Sequence, residues 1–251
     1  MFTRRFESSE GSKLNFRDMK KIMFADKYGL TKAVLLSRKT MTRRIVPKCK
    51  ELDILRLWER NNGAISSGYE EKTQSCRIDY CPDQKRRISI DHLNLIPSYK
   101  VGEVVAVAQS YKDSGWNPNT LQQTFVKEPT VFPDLDPISP LCGWIDLPLK
   151  YHKGWNNKMF VLAGLMPHQI RITNIRVERL QDISDEDCMR EGIFWDYGDY
   201  PYMATKMYKY NENEEYIHPK AAFAALIDKV SGKWTWQSNP WVFVYEFELV
   251  K

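Results

Sequence analysis

The most regular hydrophobic pattern lies at the end of the chain, where Trp241, Phe243, Tyr245, Phe247 and Leu249 alternate with Val242, Val244, Glu246 and Glu248. Alternation with a period of two predicts a half-buried strand with one strongly aromatic face. Just upstream, Ala222, Phe223, Leu226, Ile227 and Val230 recur at helical spacing between Pro219 and Ser231-Gly232, which predicts a helix opened by proline and closed by glycine. From Ile170 to Leu180 the apolar phase switches, from Ile170 and Ile172 to Ile175 and Val177, so a strand with a bulge near Asn174 is expected. Ser184-Asp185-Glu186-Asp187 reads as a capping box for a short helix that Gly192 ends, and capping is sufficient to explain its acidic residues. The tyrosine-rich stretch from Phe194 to Tyr216, broken by Gly198 and Pro201, reads as a surface loop.

In the first half of the chain, Lys21 to Phe24 is a possible first strand. Leu30, Ala33, Val34 and Ser37 predict a short helix that breaks near Ser37 into a strand over Thr40 to Val46. On that strand Thr40, Thr42 and Arg44 share one face, with Lys39 at the junction. After Pro47 the pattern weakens, and Asn61-Asn62-Gly63 and Ser66-Ser67-Gly68 mark turns, so Lys48 to Tyr99 reads as an inserted hairpin excursion. Val101 to Tyr111 is apolar nearly throughout, as in a strand buried on both faces. A proline-rich loop follows as far as Trp144, and Trp155 to Ala163 is expected to return to the core before a turn at Gly164 to Pro167. Met1 to Arg17 is polar and poor in aliphatics, as in a flexible extension. The organisation expected is therefore an extension over residues 1–19 and a single domain over 20–251, with insertions at about 48–99 and 112–154. The element pattern alone gives an α+β class with a curved or closed sheet.

Composition changes little in this picture. Of the residues, 43% are hydrophobic and 27% charged, ordinary for a globular protein, and the formal net charge of +5 is mildly basic. No apolar run approaches the length of a membrane span and no cleavable leader is evident, so a cytoplasmic location and no membrane partner are expected. Five cysteines at irregular intervals argue against a disulfide framework. Cys76-x4-Cys81, with Cys49 or His92, could supply zinc ligands, but the spacing is loose; reduced structural thiols are the simpler reading, and no metal or cofactor is called for. His92, His152, His168 and His218 form no triad or ligand motif.

Distribution of charge matters more than its total. Between Lys32 and Lys50 stand seven basic residues (Lys32, Arg38, Lys39, Arg43, Arg44, Lys48 and Lys50) with no Asp or Glu, a local field that favours anions. The plain alternative is a solvated edge strand whose cations discourage edge pairing. Lys39-x-x-Thr42-x-Arg44 resembles the Gly-x-Lys-x-x-Thr-x-Arg signature of the ASCH domain family, PUA-like barrel proteins associated with RNA and modified nucleosides; Ser37 stands where that family usually has glycine. Val104 to Tyr111 resembles the family's second strand, with Gln109 at a position usually held by Glu. Met166-Pro167, Arg171-Ile172, Val177 to Ser184 and Asn239 to Val242 resemble the longer phage and prophage members.

What the resemblance implies is a PUA-like curved β-barrel with a few flanking helices and two insertions. It further implies a cleft in which Lys39 and Thr42 stand at the catalytic positions, and Arg44, Gln109, Tyr111 and Arg171 bind ligand. Three functions follow. The first is binding of RNA or a nucleotide or nucleoside, with cations on phosphate and aromatics stacking on bases. The second is an amidohydrolase acting on acylated nucleosides, in which Lys39, its pKa depressed by Arg43 and Arg44, activates Thr42. The third is a phage-derived structural or accessory role. Gln109 cannot titrate, which favours binding over catalysis, although Glu103 or Asp113 could supply a displaced carboxylate. Tyr111, Trp116, Phe125, Phe132 and Trp144 with Lys112, Lys127 and Lys153 could form a stacking wall or simply pin the loop.

Overall fold

The computed structural model describes residues 19–61, 64–81, 91–114, 154–197 and 206–250. It is a mixed α+β structure that divides into two compact units, Met1–Ile22 with Ala106–Pro167 and Met23–Val105 with His168–Lys251. Its main sheet is mixed and has five strands: β1 (Lys21–Ile22), β2 (Met41–Ile45), β6 (Val104–Val107), β7 (Gln169–Arg179) and β10 (Trp241–Val250), in the order β1-β6-β7-β10-β2. A second antiparallel sheet joins β3 (Ala64–Glu70), β4 (Ser75–Cys81) and β5 (Asp91–Leu95), and a third joins β8 (Phe194–Tyr197) and β9 (Lys206–Lys209).

In the larger unit β10 is the organising strand, paired antiparallel to β7 on one side and to β2 on the other. Its aromatic face forms as the alternation predicts: Phe243, Tyr245 and Phe247 are all buried, and Tyr245 is among the largest fully buried side chains. Each such ring contributes on the order of 1.5–3 kcal/mol by leaving water. The phase switch in β7 is a register shift between Glu246 and Phe247, opposite Asn174 and Ile172, so the extra residue is Thr173. Helix α1 (Leu30–Leu35) buries Leu30, Ala33 and Val34, then stops at Ser37, whose φ of 56° is left-handed. Helix α4 (Asp185–Arg190) is capped by Ser184, whose hydroxyl accepts from the Asp187 amide at 3.1 Å. Helix α5 (Pro219–Ser231) carries its proline in the first turn and Gly232 as C-cap, and α6 (Thr235–Ser238) leads into β10.

The excursion after Pro47 is more ordered than the sequence pattern indicates. It contains an eleven-residue helix, α2 (Lys50–Arg60), followed by the three strands of the second sheet. Helix α2 buries only Leu52 and Leu55, a sparse apolar stripe, and stacks Trp58 on Tyr80 of β4 at 4.9 Å between centroids. The loop expected from Phe194 to Tyr216 is instead the β8-β9 hairpin, with Trp195 opposite Tyr208 and Tyr197 opposite Lys206.

In the smaller unit β1 runs parallel to the end of β6, with Lys21 opposite Ala106 and Ile22 opposite Val107. The Lys21 ammonium ties down the following turns by donating to the carbonyls of Lys158, Met159 and Val161 at 3.2, 2.6 and 3.0 Å. The segment from Trp155 to Ala163, expected in the core, places only Val161 there; Met159, Phe160 and Leu162 are exposed. The short helix α3 (Tyr111–Ser114) follows β6. Most of the predicted insertion at 112–154 lies outside the described residues.

Ser37 supplies a test of the helix-to-strand break. An L side chain in the left-handed region costs roughly 1–2 kcal/mol, offset for glycine by its freer unfolded chain. Ser37→Gly is expected to raise unfolding stability by up to about 1 kcal/mol and Ser37→Val to lower it by about as much, read by urea denaturation.

Candidate functional site

Successive side chains of β2 face opposite sides of the sheet, and this divides the basic stretch into two environments. Met41 and Arg43 stand opposite Glu246 and Val244 of β10, which in turn stand opposite Asn174 and Arg176 of β7. Thr42 and Arg44 stand opposite Tyr245 and Phe243 and share the aromatic side.

On the first side every cation is answered by a carboxylate from far along the chain. Arg43 is fully buried; its Nε and Nη2 donate to Glu178 Oε1 at 3.0 and 2.7 Å, Nη2 also to Asp187 Oδ2 at 2.8 Å, and Nη1 to Glu191 Oε1 at 3.1 Å. Burial alone would lower its pKa, but the charges of Glu191 and Glu178 outweigh that and hold it above the ordinary arginine value. Lys39 is also buried, and its Nζ donates to the Glu191 carbonyl at 2.6 Å and to Glu191 Oε2 at 2.5 Å. Burial pushes the Lys39 ammonium below the usual lysine range; Glu191 opposes this, while Arg44 and Arg43 add to it. The depression expected from Arg43 and Arg44 is therefore present, with desolvation as its main cause. Arg176 bridges Glu178, Asp187 and Glu246, and Arg190 donates to Glu246 Oε2 at 2.7 Å. Lys39, Arg43, Arg176 and Arg190 thus meet Glu178, Asp187, Glu191 and Glu246, four cations with four carboxylates. Within the cluster the Glu246 carboxyl, which burial would raise, is held below the usual carboxylate range by Arg190, Asn174 and Arg176.

The second side is different. Arg44 is half-buried, lies 5.8 Å from the Phe24 ring centroid and donates to the Met23 carbonyl; among the described residues it forms no ion pair. Lys39 Nζ reaches the same Phe24 ring at 5.9 Å. Thr42 is buried, and Lys39 Nζ gives its hydrogen bonds to Glu191 rather than to the Thr42 hydroxyl. Tyr99 packs edge-on against Tyr245 at 5.2 Å, and the Tyr245 hydroxyl accepts from the Ser98 amide at 3.0 Å. Tyr99 feels the charge of Arg44, which partly counters the upward shift that burial gives its phenol. The result is one half-buried guanidinium beside a hydroxyl and two aromatic rings.

Of the other expected site residues, Arg171 lies in the larger unit and Gln109 and Tyr111 in the smaller. Arg171 is half exposed on β7 opposite Glu248, with Nη1 3.5 Å from Oε1, on the same side of the sheet as Arg43. Gln109 and Tyr111 belong to the smaller unit, where Gln109 is buried and the Tyr111 ring lies against Gly154 so closely that a Cβ there would fall 2.4 Å from it. Asp113, a proposed substitute carboxylate, accepts from the Ser110 hydroxyl at 2.5 Å. Trp116, Phe125, Phe132, Trp144, Lys127 and Lys153 of the proposed stacking wall lie outside the described residues. Cys76 and Cys188 are buried, and burial pushes both thiols up to about 12, away from thiolate chemistry. Among the described residues no three His, Cys, Asp or Glu side chains converge as metal ligands, and no helix is long and apolar enough to cross a membrane. A cavity of about 540 Å³ lined by Glu59, Ser67, Arg179 and Trp241 shares only Glu178 with the charged cluster.

Glu191, Phe24 and Tyr99 are the residues that sequence reasoning did not assign to this region. Glu191 carries a faint signal, since it directly precedes the Gly192 that ends α4 and so sits where that helix delivers its last side chain. No protein-family profile matches the chain, and no curated protein or solved structure matches it.

Removing one member of a buried ion pair leaves an uncompensated charge and costs about 3–5 kcal/mol. Glu191→Ala strips a partner from both Lys39 and Arg43, so a loss of that size is expected in chemical denaturation. Because the Glu246 carboxyl titrates low in the folded state, its contribution is complete above the ordinary carboxylate pKa and fades as pH falls through the depressed value.

Proposed function

We propose that the protein is an ASCH-like, PUA-like barrel protein that binds RNA or a nucleotide or nucleoside through the Thr42–Arg44 side of β2. The observation that carries this reading is the state of Arg44: half-buried, held over Phe24, and engaged among the described residues only by a backbone carbonyl. A guanidinium so placed keeps donors for a phosphate or a base edge, and its planar fork suits both. The half-buried Tyr99 gives apolar ring surface on this side, Phe24 is buried against the guanidinium, and the buried Thr42 hydroxyl is a neutral donor and acceptor on the same face of the strand. The left-handed φ of Ser37, where the resembled signature carries glycine, supports the match at the level of the backbone.

Catalysis on an acylated nucleoside is a second reading, and one observation favours it. Lys39 is a desolvated amine with a lowered pKa, and Glu191 offers it the titratable partner that Gln109 cannot be. In that scheme the Lys39 amine takes the Thr42 proton as the hydroxyl oxygen attacks the acyl carbon, and Glu191 steadies the ammonium so formed. The acyl C–N bond breaks as that ammonium returns the proton to the departing nucleoside amine, and water then hydrolyses the Thr42 ester to release the acid. Lys39 must then turn from Glu191 towards Thr42, which the bond to the Glu191 carbonyl opposes. Binding needs no such movement and is the reading adopted.

The binding test is uridine monophosphate titrated over a range of salt, since each phosphate neutralised adds to the slope of log affinity on log salt. Arg44→Ala should lower that slope by about 0.7 for a single-stranded oligonucleotide and weaken mononucleotide binding at every salt concentration. Lys39→Met should lower stability without changing the slope, because its charge is already met inside the protein. An unchanged slope in Arg44→Ala rejects the site. Release of acetate from acetylated cytidine that disappears in Glu191→Gln would instead establish the second reading.

A further inference from the structure

We propose that the exposed aromatic face of the β8-β9 hairpin is a stacking platform for the bases of a single-stranded nucleic acid. The proposal rests on the nucleic-acid-binding reading of the Thr42–Arg44 side for the class of ligand, and on the geometry of the hairpin for the site. In an antiparallel pair, residues directly opposite one another share a face. Trp195 is opposite Tyr208 and Tyr197 is opposite Lys206, so three aromatic rings and one ammonium occupy the same face of a ribbon only two strands wide.

These rings are not used to build a core. Trp195 is 42% exposed and Tyr197 55%, in a protein whose other β-strand aromatics on β10 are buried. They meet edge to face at 5.6 Å, which leaves ring surface open to solvent. Lys206 Nζ stands 4.3 Å from the Trp195 centroid. Among the described residues its charge is met by a ring quadrupole and no carboxylate, a weak partner that leaves the ammonium available to a phosphate. Aromatic faces with an interleaved cation are the arrangement that holds single strands, because every base has a π-face and every linkage a negative charge.

Charge on the surrounding elements favours nucleic acid over an apolar or acidic protein partner. Among the described residues of the two strands the face carries no carboxylate, since Asp196 alternates to the other side with Phe194. Of the three acids of the following turn, Glu215 is engaged by Lys209 at 2.8 Å and Glu214 by Lys229, while Glu212 is exposed. On the hairpin's other face, Arg38 of the basic stretch lies over the Phe194 ring at 5.4 Å, which anchors the ribbon and adds a further exposed cation beside it. Helix and sheet packing give no reason for a Trp and a Tyr to stand in water two residues apart; base stacking does.

The test compares a labelled oligouridylate of about 12 nucleotides, read by fluorescence anisotropy, with uridine monophosphate, read by calorimetry. Trp195→Ala and Tyr197→Ala are each expected to weaken oligonucleotide binding about tenfold while leaving the mononucleotide unaffected, and Trp195→Phe, which keeps a stacking ring, to restore most of the loss. Lys206→Ala should lower the salt slope by about 0.7. All three side chains are exposed, so circular dichroism should show an unchanged fold. Oligonucleotide binding that is absent, or that is unchanged in the Trp195→Ala/Tyr197→Ala double variant, overturns the proposal, as does a self-association abolished by Trp195→Ala in place of nucleic-acid binding. The two readings fail separately: mononucleotide binding lost in Arg44→Ala with an indifferent hairpin removes only the platform, and oligonucleotide binding that depends on Trp195 but not Arg44 removes only the Thr42–Arg44 site.

Discussion

The buried guanidinium of Arg43 ties the larger unit together, because it binds Glu178 of β7, Asp187 of α4 and Glu191 just beyond that helix from a single position on β2. A charge taken out of water is tolerable only when its hydrogen-bonding capacity is filled, and Arg43 meets this with three carboxylates. The requirement fixes more than one residue. Helix α4 must lie where Asp187 and Glu191 reach the sheet, β2 must keep the register that turns Arg43 inward, and Lys39 must follow Glu191. Apolar packing alone would let α4 slide along the sheet, whereas directional bonds to a planar fork do not.

That constraint also sets which way Thr42 and Arg44 face. Alternation along β2 sends Arg43 into the charged cluster and, by the same step, sends its two neighbours to the aromatic side. A shift of one residue would place Arg44 against the carboxylates and Arg43 against Tyr245. The structural half of the strand thus sets the orientation of the half read here as functional. It also separates two properties that the sequence runs together, since two of the concentrated cations, Lys39 and Arg43, are neutralised inside the protein while Arg44 beside them is not.

Much of the fold was legible in the chain. The aromatic alternation of β10, the phase switch in β7, the Ser184 cap and the proline and glycine at the ends of α5 are local signals, and local signals carry their own geometry. What was not legible depended on distant partners. Helix α2 has a thin apolar stripe completed by Tyr80, and β8 and β9 pair across an interruption, so neither stands out in a window of the sequence. The candidate site divides in the same way. The motif around Lys39, Thr42 and Arg44 was visible, but Glu191 lies 152 residues from Lys39, and its role is set by the fold alone. Gln109, the sequence's most obvious departure from the resembled pattern, directed attention to carboxylates near it in sequence, Glu103 and Asp113, whereas the carboxylate bonded to Lys39 is Glu191.

Charge bookkeeping gives the last step. The cluster around Arg43 holds equal numbers of cations and carboxylates, so it contributes nothing to the formal net charge of +5. The excess must therefore reside among the remaining groups, to which the exposed Arg38 and Lys206 and the half-buried Arg44 belong. Exposed charges act at long range and are screened over roughly 8–10 Å at ordinary ionic strength, while buried pairs are screened far less. Salt should consequently separate the two populations: it weakens attraction of an anionic ligand to the surface cations and leaves the Arg43 cluster, and with it the fold, nearly untouched. Under the binding function proposed above, affinity for a polyanion would depend on a few surface cations whose loss does not touch the cluster that holds the fold.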